Sequence, residues 1–325
     1  MTDRTGREID YLRVSVTDRC NLRCVYCMPA QGVEAVPYDQ LLTLEEIARI
    51  CAAAARLGIS RVKLTGGEPL VRKGCPRLVG MLKAIPGIRE VTMTTNGVLL
   101  PRLLPQLTAA GLDAVNISLD TLDPARFEAL TRSPMEGSVR EAIDQALAAG
   151  LRVKVNCVAT EEYNGEDLAE LAGLARERRL DVRFIELMPI GLGRSLTPVS
   201  NDQVKARLEA VYGPMAPYRG RRRGNGPAVY WELPGFAGKV GFISAISHEF
   251  CGSCNRVRLT STGFLKLCLH YRDGVPLREL AREGAGEEAL AEVIRQAILQ
   301  KPLHHDFGGC QAPNLERHTM AQIGG

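Results

Sequence analysis

The sequence predicts an α/β fold built on a parallel sheet, either an open barrel or a doubly wound sheet, followed by a smaller α+β region. Three observations predict it. Short β-branched runs alternate with longer helical patterns six times between residues 12 and 190. Turn-rich, shorter segments replace that alternation after about residue 214. Five motifs carrying sulfur or polar groups fall at the ends of successive strand candidates. Parallel strands joined by helices take right-handed crossovers, which wind such a series into one sheet.

The strand candidates are 11–16, 61–65, 90–95, 113–119, 152–159 and 181–188. Between the first two, segment 43–58 opens with Thr43 and Glu46 as a capping box and stops at Gly58. Its Ile47, Ile50, Ala54 and Leu57 recur at helical spacing and should face the sheet. Segment 138–150 repeats the pattern, with Ser138 and Glu141 as the expected box and Gly150 as the stop. Beyond 214, segments 227–235 and 239–247 read as hairpin strands, and one strong helix is expected near 286–299. The chain therefore divides into two expected regions, 1–214 and 215–325.

Composition narrows the function classes. No run of about 18 apolar residues is present, so no membrane span or membrane partner is expected. The first residues lack the apolar stretch of a secretory signal, which points to the cytoplasm. A net charge of +4 gives no reason to expect nucleic acid, and the basic run at 218–226 reads as a solvated loop. In the cytoplasm thiols stay reduced, so the ten cysteines are not a disulfide framework. Four of them, Cys51, Cys75, Cys157 and Cys310, are isolated, and Cys51 and Cys157 sit in apolar runs that predict burial.

The other six form two sets. Cys20, Cys24 and Cys27 follow the first strand as C-x3-C-x2-C; Cys251, Cys254 and Cys268 form C-x2-C-x13-C. A structural zinc site takes four protein ligands and each set supplies three, although the Cys251–Cys254 spacing leaves zinc open there. A cubane iron–sulfur cluster is the alternative: held by three thiolates, it keeps one iron open for another ligand. The first set shares the strand ends with 65–72, 94–97, 118–120 and 186–189. In βα barrels that rim is where active sites are built.

Cations complete the pattern. Arg256 and Arg258 alternate with apolar neighbours and should project from one face of a strand, while 264–268 returns Cys268 toward Cys251 and Cys254. Paired guanidiniums suit phosphate oxygens. Arg13, Lys63, Lys154 and Arg183 occupy similar alternating positions on four strand candidates. Together they match a polyanionic ligand, and a triphosphate fits.

C-x3-C-x2-C after the first strand, with Tyr26 between the last two cysteines and Gly-Gly-Glu-Pro at 66–69 after the second strand, resembles the radical S-adenosylmethionine superfamily. Adding C-x2-C-x13-C, Asn-Arg-Val-Arg at 255–258 and the Gly324–Gly325 pair, the chain resembles the GTP 3′,8-cyclase family, from about Arg13 onward.

The resemblance implies an incomplete (βα)6 TIM-type barrel, two [4Fe-4S] clusters and S-adenosylmethionine. Cys20, Cys24 and Cys27 would hold the cluster that binds S-adenosylmethionine, with contacts from Tyr26, Gly67, Ser118 and Met188. Cys251, Cys254 and Cys268 would hold a second cluster whose open iron meets guanine. Arg13, Lys63, Thr94, Lys154, Arg256, Val257 and Arg258 would contact GTP. Arg13, Arg183, Gly324 and Gly325 are the implied catalytic group. At position 63 many relatives carry Arg, so this contact loses a bidentate fork. The implied reaction joins the ribose C3′ of GTP to guanine C8, the first step of molybdenum-cofactor biosynthesis. Implied partners are a one-electron donor such as flavodoxin or ferredoxin, the downstream cyclic pyranopterin monophosphate synthase, and a second copy of the chain in a homodimer.

Overall fold

The structure, a computed structural model, describes residues 1–307 and 314–324. Six strands, β1 (Tyr11–Ser15), β2 (Arg61–Thr65), β3 (Glu90–Thr95), β4 (Ala114–Ser118), β5 (Arg152–Ala159) and β6 (Asp181–Glu186), pair in that order and in parallel. Each lies within its expected run. The helices α1 (Leu44–Arg56), α2 (Cys75–Lys83), α3 (Leu100–Ala109), α4 (Pro124–Thr131), α5 (Glu136–Ala148) and α6 (Leu168–Glu177) return the chain between them.

After β6 come α7 (Asn201–Tyr212) and the strands β7 (Ala216–Pro217), β8 (Val229–Glu232), β9 (Val240–Ile243), β10 (Arg256–Leu259), β11 (Phe264–Lys266) and β12 (Gly274–Pro276). Helices α8 (Arg278–Arg282), α9 (Glu287–Leu299) and α10 (Met320–Ile323) follow. The expected hairpins are present, β8 with β9 and β10 with β11 and β12, but they do not form a sheet of their own. β9 pairs in parallel with β6 and β10 pairs in parallel with β1, giving one 12-stranded sheet. The physical reason is that β1 and β6 are the two edges of the six-strand set, and an uncovered edge presents rows of unpaired N–H and C=O groups.

The sheet curls. Burial and then the charge of Arg183 on β6 depress Lys63 on β2, so the two side chains lie close enough to interact. In a flat sheet four strand spacings would put these about 19 Å apart. The strand order runs from β12 to β7 without closing, so this is an open barrel.

Local signals account for most helices. Thr43 Oγ1 accepts the Glu46 N–H at 3.1 Å and Glu46 accepts the Thr43 N–H at 2.7 Å, forming the expected box. The buried face of α1 is Ile47, Ile50, Cys51, Ala53 and Ala54. At α5 the expectation fails: the helix begins at Glu136, its N-cap is Met135, and Ser138 makes no cap. Pro134 stands just before that cap. A proline cannot continue the preceding helix, and its fixed φ suits the start of the next one. Cys51, Cys75 and Cys157 are buried, and Cys310 lies outside the described residues. Among the described residues no helix is long and apolar enough to cross a membrane.

Candidate active site

Cys20, Cys24 and Cys27 lie on one loop beyond the C-terminal end of β1. The segment after β2 packs against its approach. Gly67 N–H donates to the Thr17 carbonyl and Glu68 N–H to the Arg19 carbonyl, both at 2.8 Å. A Cβ on Gly66 would lie 2.5 Å from the Thr17 carbonyl oxygen, and one on Gly67 would press into the carbonyls of Asp18 and Arg19. Both glycines are therefore required by close approach of two backbones. With its N–H taken, what Gly67 can offer an ammonium group is its carbonyl.

Two carboxylates, both within motifs of the sequence but not expected to matter, hold this rim. Glu68 accepts from Thr95 Oγ1 at 2.7 Å, Asn96 N–H at 2.7 Å and Leu70 N–H at 3.0 Å, tying the β2 loop to the end of β3. Burial pushes its carboxyl up to about 7 against those donors. Asp120 accepts the Tyr26 hydroxyl at 2.7 Å and the Val158 N–H at 2.7 Å, and burial lifts it to about 6. Tyr26 thus spends its hydroxyl on β4–β5 and holds the cysteine loop to the barrel. Ser118, half-buried, ends β4 beside Asn156 of β5.

Burial pushes the first three thiols up, Cys24 well above its ordinary value and Cys27 to about 12, with neighbouring thiols adding to it at these two and Glu68 at Cys20. The loop holds its sulfurs as neutral thiols until a metal displaces their protons.

The second set is assembled from separate pieces. Cys251 and Cys254 sit on the crossing from β9 to β10, and Cys268 follows β11. Cys254 precedes the N-terminal end of β10, whose neighbour β1 leads to the first set at its far end. A five-residue strand spans about 16 Å, so the two sets lie at different levels of the barrel. The second set also has cations. Burial opposes ionisation of Cys254, but Arg256 and Lys301 overcome it and bring the thiol down to about 7. A cavity here is walled by Cys251, Cys254, Cys268, Arg258, His305 and Met188. Met188, expected beside S-adenosylmethionine, also lines this second cavity.

A single zinc ion with Zn–S bonds of about 2.3 Å would draw its sulfurs to about 3.8 Å apart. Among the described residues the one group of three such ligand atoms within 4.8 Å of one another is Glu249, Cys251 and His305. Neither cysteine triad is gathered that tightly, and thiols spread more widely suit a polynuclear iron–sulfur cluster.

Between the triads runs a cationic bore. Arg258, Arg13 and Lys63 stand in register on β10, β1 and β2, and Asn116 and Lys154 on β4 and β5. Arg183 on β6 is held by Asn156 Oδ1, which accepts its Nε at 2.9 Å. Burial, then Arg183, Arg13 and Lys154, push Lys63 well below its ordinary range. Burial, then Arg183, bring Lys154 to about 7. Burial, Arg13 and Arg256 depress Arg258 in the same sense. Thr94 borders the bore, accepting Asn116 Nδ2 at 3.5 Å.

Val257 is fully buried and belongs to the hydrophobic core, so only its backbone can meet a ligand. The basic run at 218–226 is solvated only in part. Arg223 grips Asp181 through two nitrogens, and Asn225 accepts from Asn255 Nδ2 at 3.2 Å while donating to Glu90, which lays this end of the run over the strand starts. Gly241 carried no signal in the sequence, yet a Cβ there would lie 2.9 Å from Arg183 Cγ. Gly324 Cα sits close to Ser15, and its carbonyl accepts Arg258 Nη1 at 2.7 Å; Gly325 lies outside the described residues.

Comparison with known proteins agrees with this arrangement. Residues 14–175 match the Radical SAM superfamily and residues 180–307 match Molybdenum Cofactor Synthesis C. The GTP 3′,8-cyclase of Heliobacterium modesticaldum is 49% identical over 332 residues, and that of Clostridium perfringens (strain 13 / Type A) 43% over 325, each covering 100% of both chains. The crystal structure of Streptococcus suis SuiB bound to S-adenosylmethionine shares the fold, with a TM-score of 0.62 at 16% identity over 89% of this chain and 68% of that one. The protein is a radical S-adenosylmethionine enzyme, and its cofactors are S-adenosylmethionine and an iron–sulfur cluster. With both family regions in sequence and relatives similar from end to end, the chain belongs to the GTP 3′,8-cyclase family.

Proposed function

We propose that this enzyme converts GTP to (8S)-3′,8-cyclo-7,8-dihydroguanosine 5′-triphosphate, the first step of molybdenum-cofactor biosynthesis. The observation that carries the reading is the bore. Arg258, Arg13 and Lys63 stand side by side, with Lys63 and Lys154 driven far from their ordinary protonation by burial and by one another. Such a cavity is unfavourable by itself and is relieved by a polyanion.

Cys20, Cys24 and Cys27 fit a [4Fe-4S] cluster, with Gly67, Ser118 and Tyr26 lining the S-adenosylmethionine site. Met188 joins them only where that site meets the second cavity. When bound, this pair supplies the radical that takes hydrogen from the substrate's C3′. Cys251, Cys254 and Cys268 fit a second [4Fe-4S] cluster that anchors guanine. Arg13, Lys63, Lys154, Arg256 and Arg258 hold phosphate and ribose oxygens, with Thr94 and the Val257 backbone beside them. Arg183 is oriented by Asn156 toward the same space. Gly324 stands beside β1 with its carbonyl on Arg258, and the Gly324–Gly325 pair helps place GTP and exclude water. In this reading 1–214 serves the S-adenosylmethionine site and 215–325 the second cluster and the tail.

The chain would work in the cytoplasm, as a monomer or homodimer, taking electrons from a flavodoxin or ferredoxin and passing its product to cyclic pyranopterin monophosphate synthase. Anaerobic reconstitution followed by incubation with GTP and S-adenosylmethionine tests the reading. The cyclised nucleotide should form together with 5′-deoxyadenosine, and iron should approach about eight per chain. Stoichiometric zinc on Glu249, Cys251 and His305 without the second cluster, or a product other than the cyclised nucleotide, overturns it.

A further inference from the structure

Lys266 and Glu316 form an ion pair whose side chains are 3% and 2% exposed. Lys266 lies on β11, in register with Arg258 of β10. Its Nζ also donates to the Tyr271 carbonyl at 2.7 Å. Glu316 lies 50 residues later, at the foot of the C-terminal segment. Its Oε1 accepts the backbone N–H groups of Arg317 and His318, both at 2.9 Å, and the other oxygen takes Lys266. Burial disfavours the carboxylate, but Lys266 and the His318 N–H overcome this and hold it below its usual range.

A buried pair of this kind gains little net stability over a well-packed apolar pair, while loss of one partner leaves a stranded charge. What it can fix is register. From Glu316 the chain has eight residues to reach Gly324, and its foot is also held by backbone bonds, Glu316 N–H to the His270 carbonyl and Arg272 N–H to the Asn314 carbonyl, both at 2.8 Å. Tyr271 and Leu315 form a bridge, and Asn314 binds Asp273 at 2.7 Å. Beyond Glu316 a capping box of Thr319 and Gln322 starts α10, whose Ala321 N–H reaches the Cys27 sulfur. The last described contact is Arg258 with the Gly324 carbonyl. Lys266 ends β11 two residues before Cys268, so a single residue is both the tail's anchor and the register partner of the arginine that meets the tail's end, next to a second-set thiol.

We propose that the Lys266–Glu316 pair is the positioning device that sets the depth and register at which the C-terminal tail enters the bore. This deepens the reading of the tail given above and rests on it for the catalytic consequence, but not for the structural one. Neither residue touches substrate. They act through Gly324 and through the α10 turn that lies against Cys27.

The test uses the reconstituted enzyme and two variants, Glu316→Gln and Lys266→Met. Amide hydrogen exchange over 319–324, where Ala321 and Ile323 are buried, should speed up at least tenfold in each variant. Exchange over β10 and β11 and the iron content should stay as in the parent. The double variant should release the tail no further than the worse single one, because the two groups act as one unit. Cyclised product should then fall at least tenfold while 5′-deoxyadenosine release stays within about twofold. A free peptide of residues 319–325 should recover part of the product. Unchanged exchange in the tail overturns the proposal. So does loosening of β10–β11 or loss of iron alongside the tail, since the pair would then support the hairpin. If the tail is released but GTP is not cyclised even by the parent, the anchor stands and the reading of the reaction fails.

Discussion

The two cysteine triads solve the same problem with opposite means. The first is one short loop, clamped from beneath by Gly66, Gly67 and Glu68, with its thiols pushed up by burial and by each other. The second is spread over a crossing segment and the end of a hairpin, and its surroundings already carry positive charge, so Cys254 sits near 7. The first site is geometrically ready but electrostatically reluctant; the second is eased electrostatically at Cys254, while burial still pushes Cys251 up, and it depends on distant segments arriving together. That difference predicts how each fails.

The largest expected effect separates the two directly. Cys24→Ala should abolish reductive cleavage of S-adenosylmethionine and with it all product, whereas Cys268→Ala should lose cyclisation yet keep measurable uncoupled cleavage. Equal, complete loss of cleavage in both variants would erase the division. Next comes Gly67→Ala, which changes no ligand. Because its new methyl group would meet the Asp18 and Arg19 carbonyls, the first loop should be displaced and iron should drop to about half, four of the eight expected for two cubanes. Iron retained in full would show that the clamp is not needed.

A smaller effect is expected in the bore. Arg258→Ala should weaken GTP by about 1.5–3 kcal/mol, the usual range for a hydrogen bond to a charged group, and leave guanosine nearly unaffected. Calorimetric titration of both ligands checks this, and unaltered GTP affinity would make Arg258 a tail contact only.

The smallest effect is a pH dependence centred on Lys154. The groups facing it are Arg183 and Asp181 of β6, Arg152 of its own strand and Arg223 of the loop below. Its folded value of about 7 lies below the ordinary 10.5 of a lysine, so the unfolded chain binds more protons between those limits. The ligand-free protein should therefore gain stability as pH rises from 7 toward 10. A polyanion needs that proton, so GTP binding should take up protons at pH 8 and weaken by up to about tenfold per unit above 7. Titration in two buffers of different ionisation enthalpy reads the uptake; none at pH 8 would place the phosphates away from Lys154.

The sequence by itself determined the six parallel strands, the α1 capping box and the first cysteine set, because each is written in short-range spacing: β-branched runs, a Thr and a Glu three residues apart, thiols within one loop. It misplaced the start of α5, where Pro134 outweighed a plausible Ser–Glu box. Tertiary structure alone decided what lies far apart along the chain. That β9 and β10 complete opposite edges of the first sheet follows from edge hydrogen bonding, which no local pattern encodes. The same holds for Arg223 on Asp181, for Gly241 making room for Arg183, and for Met188 on the second cavity's wall. Glu316 looks like any surface acid in the sequence; only the curled barrel brings Lys266 to it and removes water from both. Charge and distance in three dimensions set these contacts, and a linear spacing carries neither.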